Sequence, residues 1–246
     1  MTGRTIMEDN GVTLAADPSG IFTLLIDRGP NVANPSLVKS LSNAVEKVEA
    51  ASHPKALIIR GVGKFFSNGL DLDWMMANPT GTGAMIESFW RILARILILD
   101  CRTVAAINGH AFGAGLFLAL ACDFRVMRTE RGYLCWPELN LGMRLAKGFA
   151  ELSKAKASQA TLREGVLTGK RYGSLDALQA GLIDAECPME SLAERAEDLA
   201  AAGLPDALGL ANFDPRSFRD MKVELYCDAY RALAMGATDS EPHSRI

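Results

Sequence analysis

The sequence predicts an α/β protein built on a parallel sheet and followed by a helical C-terminal region, and three observations carry that expectation. A short apolar run at 56–60, ended by Gly61, has the length and composition of a strand buried on both faces, and 103–107 and 124–127 read as further strands. Segments with apolar residues at helical spacing lie between them, and strand, helix, strand is the unit from which parallel sheets are made. From residue 146 onward the chain reads as helices punctuated by glycine, with Pro205 and Pro215 as breaks.

The elements follow in order. Residues 12–15 and 21–26 are β-rich runs on either side of Asp17-Pro18-Ser19-Gly20, which is a hairpin signal. After Gly29-Pro30, Pro35 stands where the first helical turn tolerates a missing N–H. Leu37, Leu41, Val45 and Val48 then recur at helical spacing, so a helix is expected through residue 51. Residues 56–60 form the first buried strand, ended by Gly61. A loop is expected from 61 to 79, then an amphipathic helix over 82–99 and a strand at 103–107 ended by Asn108-Gly109. A helix of mainly small and apolar residues at 116–121 leads to a strand at 124–127, a turn at Glu130-Arg131-Gly132 and an extended segment at 133–136. Residues 1–188 are expected to form the core and 189–246 a helical region with a short polar tail.

Composition excludes several classes of function. Of 246 residues, 26 are Lys or Arg and 29 Asp or Glu, and no basic cluster offers a phosphate-backbone footprint, so nucleic-acid binding is not expected. The longest apolar stretches, such as 111–122, are interrupted by glycine and fall short of the ~20 residues of a membrane span. Glu8 and Asp9 stand where a secretory signal would be apolar. Cysteines at 101, 122, 135, 187 and 227 include no CxxC pair and are expected to be reduced, mostly buried thiols. Histidines at 53, 110 and 243 provide no pair at metal-ligand spacing. The GxSxG elbow, the phosphate loop and the dinucleotide fingerprint are missing, so metal, ATP and NAD all lose support.

Two glycine-rich junctions remain, residues 65–72 (Phe-Phe-Ser-Asn-Gly-Leu-Asp-Leu) and 108–115 (Asn-Gly-His-Ala-Phe-Gly-Ala-Gly), each after an expected parallel strand. Ligands gather beyond the carboxyl ends of such strands, where glycine lets backbone approach closely and helix N-termini aim N–H groups outward. Two such loops side by side could direct one N–H each at a single oxygen, which is an oxyanion hole. The alternative for either loop is a tight turn with close helix packing. Asp71, just past a glycine turn, is expected to cap the following helix. His110 is expected to make a local hydrogen bond, and Trp74, Met75, Met76, Phe89 and Trp90 are candidates either for an apolar tunnel or for the core.

From residue 12 to residue 188 the chain resembles the crotonase (enoyl-CoA hydratase/isomerase) superfamily. The resemblance is carried in order by residues 56–61, 64–74 and 103–123, by Pro137-Glu138, and by Leu167-Thr168-Gly169 through Gly181-Leu182-Ile183-Asp184. It implies a crotonase-like spiral of ββα units, assembly as a homotrimer or dimer of trimers, and a coenzyme A thioester as substrate, with no separate cofactor. Leu70 and Ala114 would donate the oxyanion-hole N–H groups to the thioester carbonyl. Ser67, Asn68, Gly69, Asp71, Gly113, Gly115 and Phe117 would shape the acyl-CoA site.

The family's hydratases use two glutamates; here the first motif position is Phe117 and the second is Glu138. Hydration needs one group to activate water and a proton source for the other carbon, and phenylalanine can be neither. Moving a double bond from the 3,4 to the 2,3 position needs one base over the chain and an oxyanion hole, which Glu138, Leu70 and Ala114 would supply. Phe117 beside that base would exclude water and raise the carboxylate's pKa.

This pattern resembles the monofunctional Δ3,Δ2-enoyl-CoA isomerases of the plant peroxisomal type, which act in fatty acid β-oxidation and yield 2-trans-enoyl-CoA. Ser244-Arg245-Ile246 is a conservative variant of the Ser-Lys-Leu address read by the peroxisomal import receptor, with a cytoplasmic location as the alternative. Rival readings are hydration or another acyl-CoA reaction on the same fold, and a non-catalytic acyl-CoA-binding subunit. The chain departs from the commonest family pattern at Gly142-Met143-Arg144-Leu145.

Overall fold

The computed structural model describes residues 3–203 and 208–236. The strands are β1 (Arg4–Asp9), β2 (Val12–Ala16), β3 (Ile21–Ile26), β4 (Ala56–Gly61), β5 (Phe65–Ser67), β6 (Arg102–Ile107), β7 (His110–Phe112), β8 (Phe124–Arg128), β9 (Leu134–Cys135), β10 (Arg171–Tyr172) and β11 (Ala185–Cys187). The helices of the core are α1 (Pro35–Glu49), α2 (Leu72–Ala77), α3 (Pro79–Leu97), α4 (Ala114–Ala121), α5 (Lys147–Lys156), α6 (Gln159–Thr168) and α7 (Ser174–Gln179). Those of the C-terminal region are α8 (Leu192–Ala201), α9 (Pro215–Leu225) and α10 (Cys227–Met235).

Two sheets organise the chain. The larger runs β1-β2-β3-β4-β6-β8-β11, antiparallel through β3 and parallel from β3 onward. The smaller runs β10-β9-β7-β5, with β5, β7 and β9 parallel and β10 antiparallel to β9. Each strand of the series β4, β6, β8 in the large sheet is followed by its partner β5, β7 or β9 in the small one. The chain thus steps one place across both sheets per unit, and this double step makes the spiral of ββα units.

The expected strands and helices are present, with boundaries shifted by a few residues at most. The segment 61–79, expected as a loop, instead holds β5 and α2, and α3 begins at Pro79 rather than residue 82. β7 and β10 are likewise two or three residues long, too short for any period to register in the sequence. β1 was hidden for a different reason: it is an edge strand whose side chains are mostly exposed, so it has no apolar alternation to read.

Burial on both faces explains why the middles of β4, β6 and β8 are apolar on successive residues. Leu57, Ile59, Ala105 and Ile107 face the main core with α1, α3 and α4, whereas Ile58, Val104, Ala106 and Val126 face Leu192, Ala196 and Leu199 of α8. The C-terminal helices are part of this packing. Ala229 and Leu233 of α10 lie in the main core, and Lys222 of α9 donates from a buried Nζ to the Leu99 and Cys101 carbonyls and, at 2.7 Å, to Asp123. Cys101, Cys122 and Cys135 are buried free thiols whose pKa is pushed up by desolvation. Among the described residues no helix is long and apolar enough to cross a membrane.

Candidate active site

Because β5, β7 and β9 are neighbouring and parallel, their carboxyl ends lie along one edge of the small sheet, where ligand sites of parallel sheets form. Asn68-Gly69-Leu70 leaves β5, Gly113-Ala114 leaves β7 and Trp136-Pro137-Glu138 leaves β9. The small sheet therefore collects three segments that the sequence separates by 40 or more residues in one case and more than 20 in the other.

The first two segments are in contact through glycine. Gly69 has φ +90, and a methyl built on it would lie 2.8 Å from the Phe112 carbonyl oxygen and 3.5 Å from the Ala114 nitrogen. The Gly69 carbonyl accepts the Ala33 N–H at 2.8 Å. A trans peptide points its N–H opposite its C=O, so the Leu70 N–H is directed away from residue 33. Ala114 is the first residue of α4, whose Gly113 carbonyl is taken by the Phe117 N–H at 3.1 Å. Its own N–H is consequently one of the groups left open at the positive end of a helix. Among the described residues neither the Leu70 nor the Ala114 N–H has an acceptor in the protein.

Glu138 is held from both sides. Upstream, the buried Trp136 donates from Nε1 to Ser153 Oγ at 3.0 Å. Downstream, a 3-10 turn at Leu139–Leu141 ends at Gly142 with φ 63, and the Met143 N–H returns to the Glu138 carbonyl at 2.8 Å. The stretch that departs from the family pattern thus closes a turn on Glu138. Its side chain points at the second loop: a methyl on Gly113 would sit 3.5 Å from Pro137 Cγ and 4.0 Å from Glu138 Oε1. Gly113 is also at φ 50, ψ −118, a conformation that suits glycine. Glu138 Oε2 is buried with no hydrogen-bond partner among the described residues. Desolvation raises this carboxyl's pKa, opposed only by a weaker backbone hydrogen bond.

The other expected site residues fall into distinct roles. Asp71 caps α2, its Oδ1 accepting the Trp74 N–H at 3.0 Å. The Ser67 hydroxyl, almost fully buried, donates to the Asn31 carbonyl at 2.7 Å and accepts the Gly69 N–H, so it holds the loop's shape. Asn68 is exposed. Gly115 lies against Ser67, where any side chain would collide with the Ser67 carbonyl. Phe117 is fully buried one turn into α4 and stacks on Phe149 with ring centroids 4.1 Å apart. Phe89 and Trp90 are core residues, Met76 is exposed, and Trp74 lines a shallow groove with Val38 and Met85. His110 lies among Phe65, Phe112 and Tyr133; its buried Nδ1 has no hydrogen-bond partner among the described residues, so the expected local hydrogen bond is not made there, and burial and the neighbouring cations Lys64, Arg131 and Arg171 lower its pKa.

Sequence reasoning overlooked Asn31 and Asn34. Asn31 is fully buried at φ 52, and its Nδ2 donates to the carbonyls of Ile26, Phe65 and Phe66. Asn34 caps α1 immediately before Pro35, a pattern that the sequence already contained.

The enoyl-CoA hydratase/isomerase family model matches residues 17–208. The chain belongs to that family. Its fold is the crotonase fold, and as a member it is an acyl-CoA enzyme of the hydratase/isomerase type. It is 36% identical to the peroxisomal enoyl-CoA delta isomerase 2 of Arabidopsis thaliana over 67% of this chain and 71% of that protein. It is 32% identical to enoyl-CoA delta isomerase 3 of the same plant over 86% and 90%. The apo Mycobacterium tuberculosis enoyl-CoA isomerase matches the structure with a TM-score of 0.82, at 25% identity over 92% of this chain and 96% of that one. The family member's C-terminal tripeptide, Ser244-Arg245-Ile246, lies outside the described residues.

Proposed function

We propose that this enzyme is a Δ3,Δ2-enoyl-CoA isomerase in which Glu138 is the only proton carrier. The observation that carries the reading is the Glu138 carboxyl facing the loop that presents the Ala114 N–H, with its Oε2 buried and without a hydrogen-bond partner among the described residues. The ionised form removes a proton from C2 of a 3-enoyl thioester. The electron pair moves through C1 to the thioester oxygen, and the dienolate charge is held by the Leu70 and Ala114 N–H groups. The protonated Glu138 then returns the proton to C4, the double bond becomes 2,3, and the carboxylate is regenerated. Nothing is gained or lost overall, so the reaction requires no cofactor beyond the coenzyme A carried by the substrate.

Phe117 favours isomerisation over hydration. It occupies the first-glutamate position of the hydratases with a ring packed on Phe149, which leaves no second carboxylate to activate water. The isomerase names of the two plant relatives support the same choice. The test is conjugation of 3-hexenoyl-CoA followed spectrophotometrically, with 2-hexenoyl-CoA run in parallel for hydration. Conjugation without hydration is expected; hydration alone, or inertness toward both, would overturn the reading.

The same reading sets the pH dependence. The base must be ionised, and burial has raised its pKa, so kcat/KM falls as pH drops through a value above the ordinary carboxylate range of about 4.3. A limb at the ordinary value would mean that the titrating base is a solvated carboxylate instead.

Peroxisomal import through Ser244-Arg245-Ile246 and assembly as a homotrimer or dimer of trimers complete the proposal. A peroxisomal designation in relatives supports the first. Exposed Leu139 and Leu141 beside Glu138, with Met221 and Leu225 on α9, support self-association.

A further inference from the structure

The segment between β3 and α1 runs alongside the residues that leave β5, and the two are joined at more points than a chance crossing needs. The Asn68 N–H donates to the Pro30 carbonyl at 2.9 Å, the Ala33 N–H to the Gly69 carbonyl at 2.8 Å, and the Asp71 N–H to the Ala33 carbonyl at 3.0 Å. Ala33 and Leu70 thereby form a parallel bridge. One side-chain contact closes the far end of this ladder. Asn34 Nδ2 donates to Asp71 Oδ2 at 3.0 Å.

That contact joins two helix caps. The Asn34 Oδ1 accepts the Leu37 N–H at the start of α1, at 3.1 Å, and the Asp71 Oδ1 accepts the Trp74 N–H at the start of α2, at 3.0 Å. Each side chain thus spends one atom on its own helix and the other on its neighbour. An N-cap needs only the first of these. The second serves something else, and Leu70 lies directly between the bridged carboxylate and the anchored Gly69 carbonyl. With Gly69 fixed on one side and Asp71 on the other, rotation of the peptide that carries the Leu70 N–H is blocked in both directions.

We propose that Asn34 and Asp71 are positioning residues for the Leu70 oxyanion donor, acting through their mutual hydrogen bond. The inference rests on the isomerase reading, in which that donor stabilises the dienolate. An oxyanion donor is effective only when it already points at the place where charge develops, so loosening its peptide affects the transition state more than substrate binding.

The test uses the complementarity of the pair. Asn34→Asp keeps the α1 cap but sets two carboxylates against each other, and Asp71→Asn keeps the α2 cap but sets two amide donors against each other. The double swap N34D/D71N restores a donor facing an acceptor with both caps intact. With 3-hexenoyl-CoA as substrate, each single variant is expected to lower kcat about tenfold to a hundredfold, with KM within twofold, and the swap to restore kcat to within about threefold. Asn34→Ser, a competent cap too short to reach Asp71, should lower kcat similarly with little change in thermal midpoint.

Single variants that keep wild-type kcat, or a swap that restores nothing, would overturn the positioning role while leaving the isomerase reading intact. A wild-type enzyme that does not conjugate 3-hexenoyl-CoA would remove the isomerase reading itself, and the positioning role with it.

Discussion

Glu138→Gln is expected to reduce isomerisation of 3-hexenoyl-CoA by about a thousandfold, within the roughly 10²–10⁴ that a positioned general base contributes. Glutamine fills the same volume but can neither take the C2 proton nor deliver one to C4. Binding of the thioester should change little, because the proposed donors to its oxygen are backbone groups of Leu70 and Ala114 and remain in place. Stability should move the other way. The Glu138 pKa is raised in the folded state, so the native protein binds this proton more tightly than the unfolded chain does. The carboxyl therefore costs nothing below the unfolded pKa of about 4.3, and its penalty grows as pH rises through the folded pKa. The variant should accordingly have a higher thermal midpoint than wild type near pH 8, with the difference vanishing in acid. An active Glu138→Gln enzyme would exclude the single-carrier mechanism, and lower stability near pH 8 would mean that the carboxylate has a partner in the folded protein.

The second large effect concerns the geometry of the donors rather than the base. Gly69→Ala places a methyl 2.8 Å from the Phe112 carbonyl oxygen at a backbone φ of +90, where side chains are strained. The two loops must separate, and the Leu70 and Ala114 N–H groups can no longer converge on one oxygen. Loss of one oxyanion donor costs roughly 10²–10³ in kcat, and a fall of that order is expected here. The acid limb of the pH profile should stay above the ordinary carboxylate range, because Glu138 lies on the third segment, whose turn is closed by the Met143 N–H and not by the β5 loop. A Gly69→Ala enzyme that retains full kcat would show that the β5 loop contributes no donor.

The sequence was most legible where one strong physical signal acted alone. The double-sided burial of β4, β6 and β8 keeps their central positions apolar and confines the polar residues Arg60, Arg102, Thr103, Arg125 and Arg128 to positions at or next to the strand ends, and the segments at 56–60, 103–107 and 124–127 record it. The Pro35 start of α1 and the Asp71 cap of α2 are likewise local chemistry, decided within one helical turn. The elements that escaped notice are those whose stability is not local. β5, β7 and β10 are held by hydrogen bonds to one another and to β9 across 20 to 45 residues of chain, and none is long enough to show a pattern.

The candidate site shows the same division. Residue types in motif order were enough to single out Leu70, Ala114, Phe117 and Glu138, because the resemblance is carried by side chains and glycines whose identity is in the sequence. Their arrangement was not available there. That Glu138 Oε2 is dry and unpaired, that Phe117 stacks on Phe149, and that Asn34 reaches across to Asp71 are all properties of surfaces brought together by folding. The sequence by itself determined which groups this enzyme has, since covalent structure sets their chemistry and local conformation. Only the tertiary structure decided what surrounds each of them, because desolvation and hydrogen-bond partnership are set by neighbours distant along the chain.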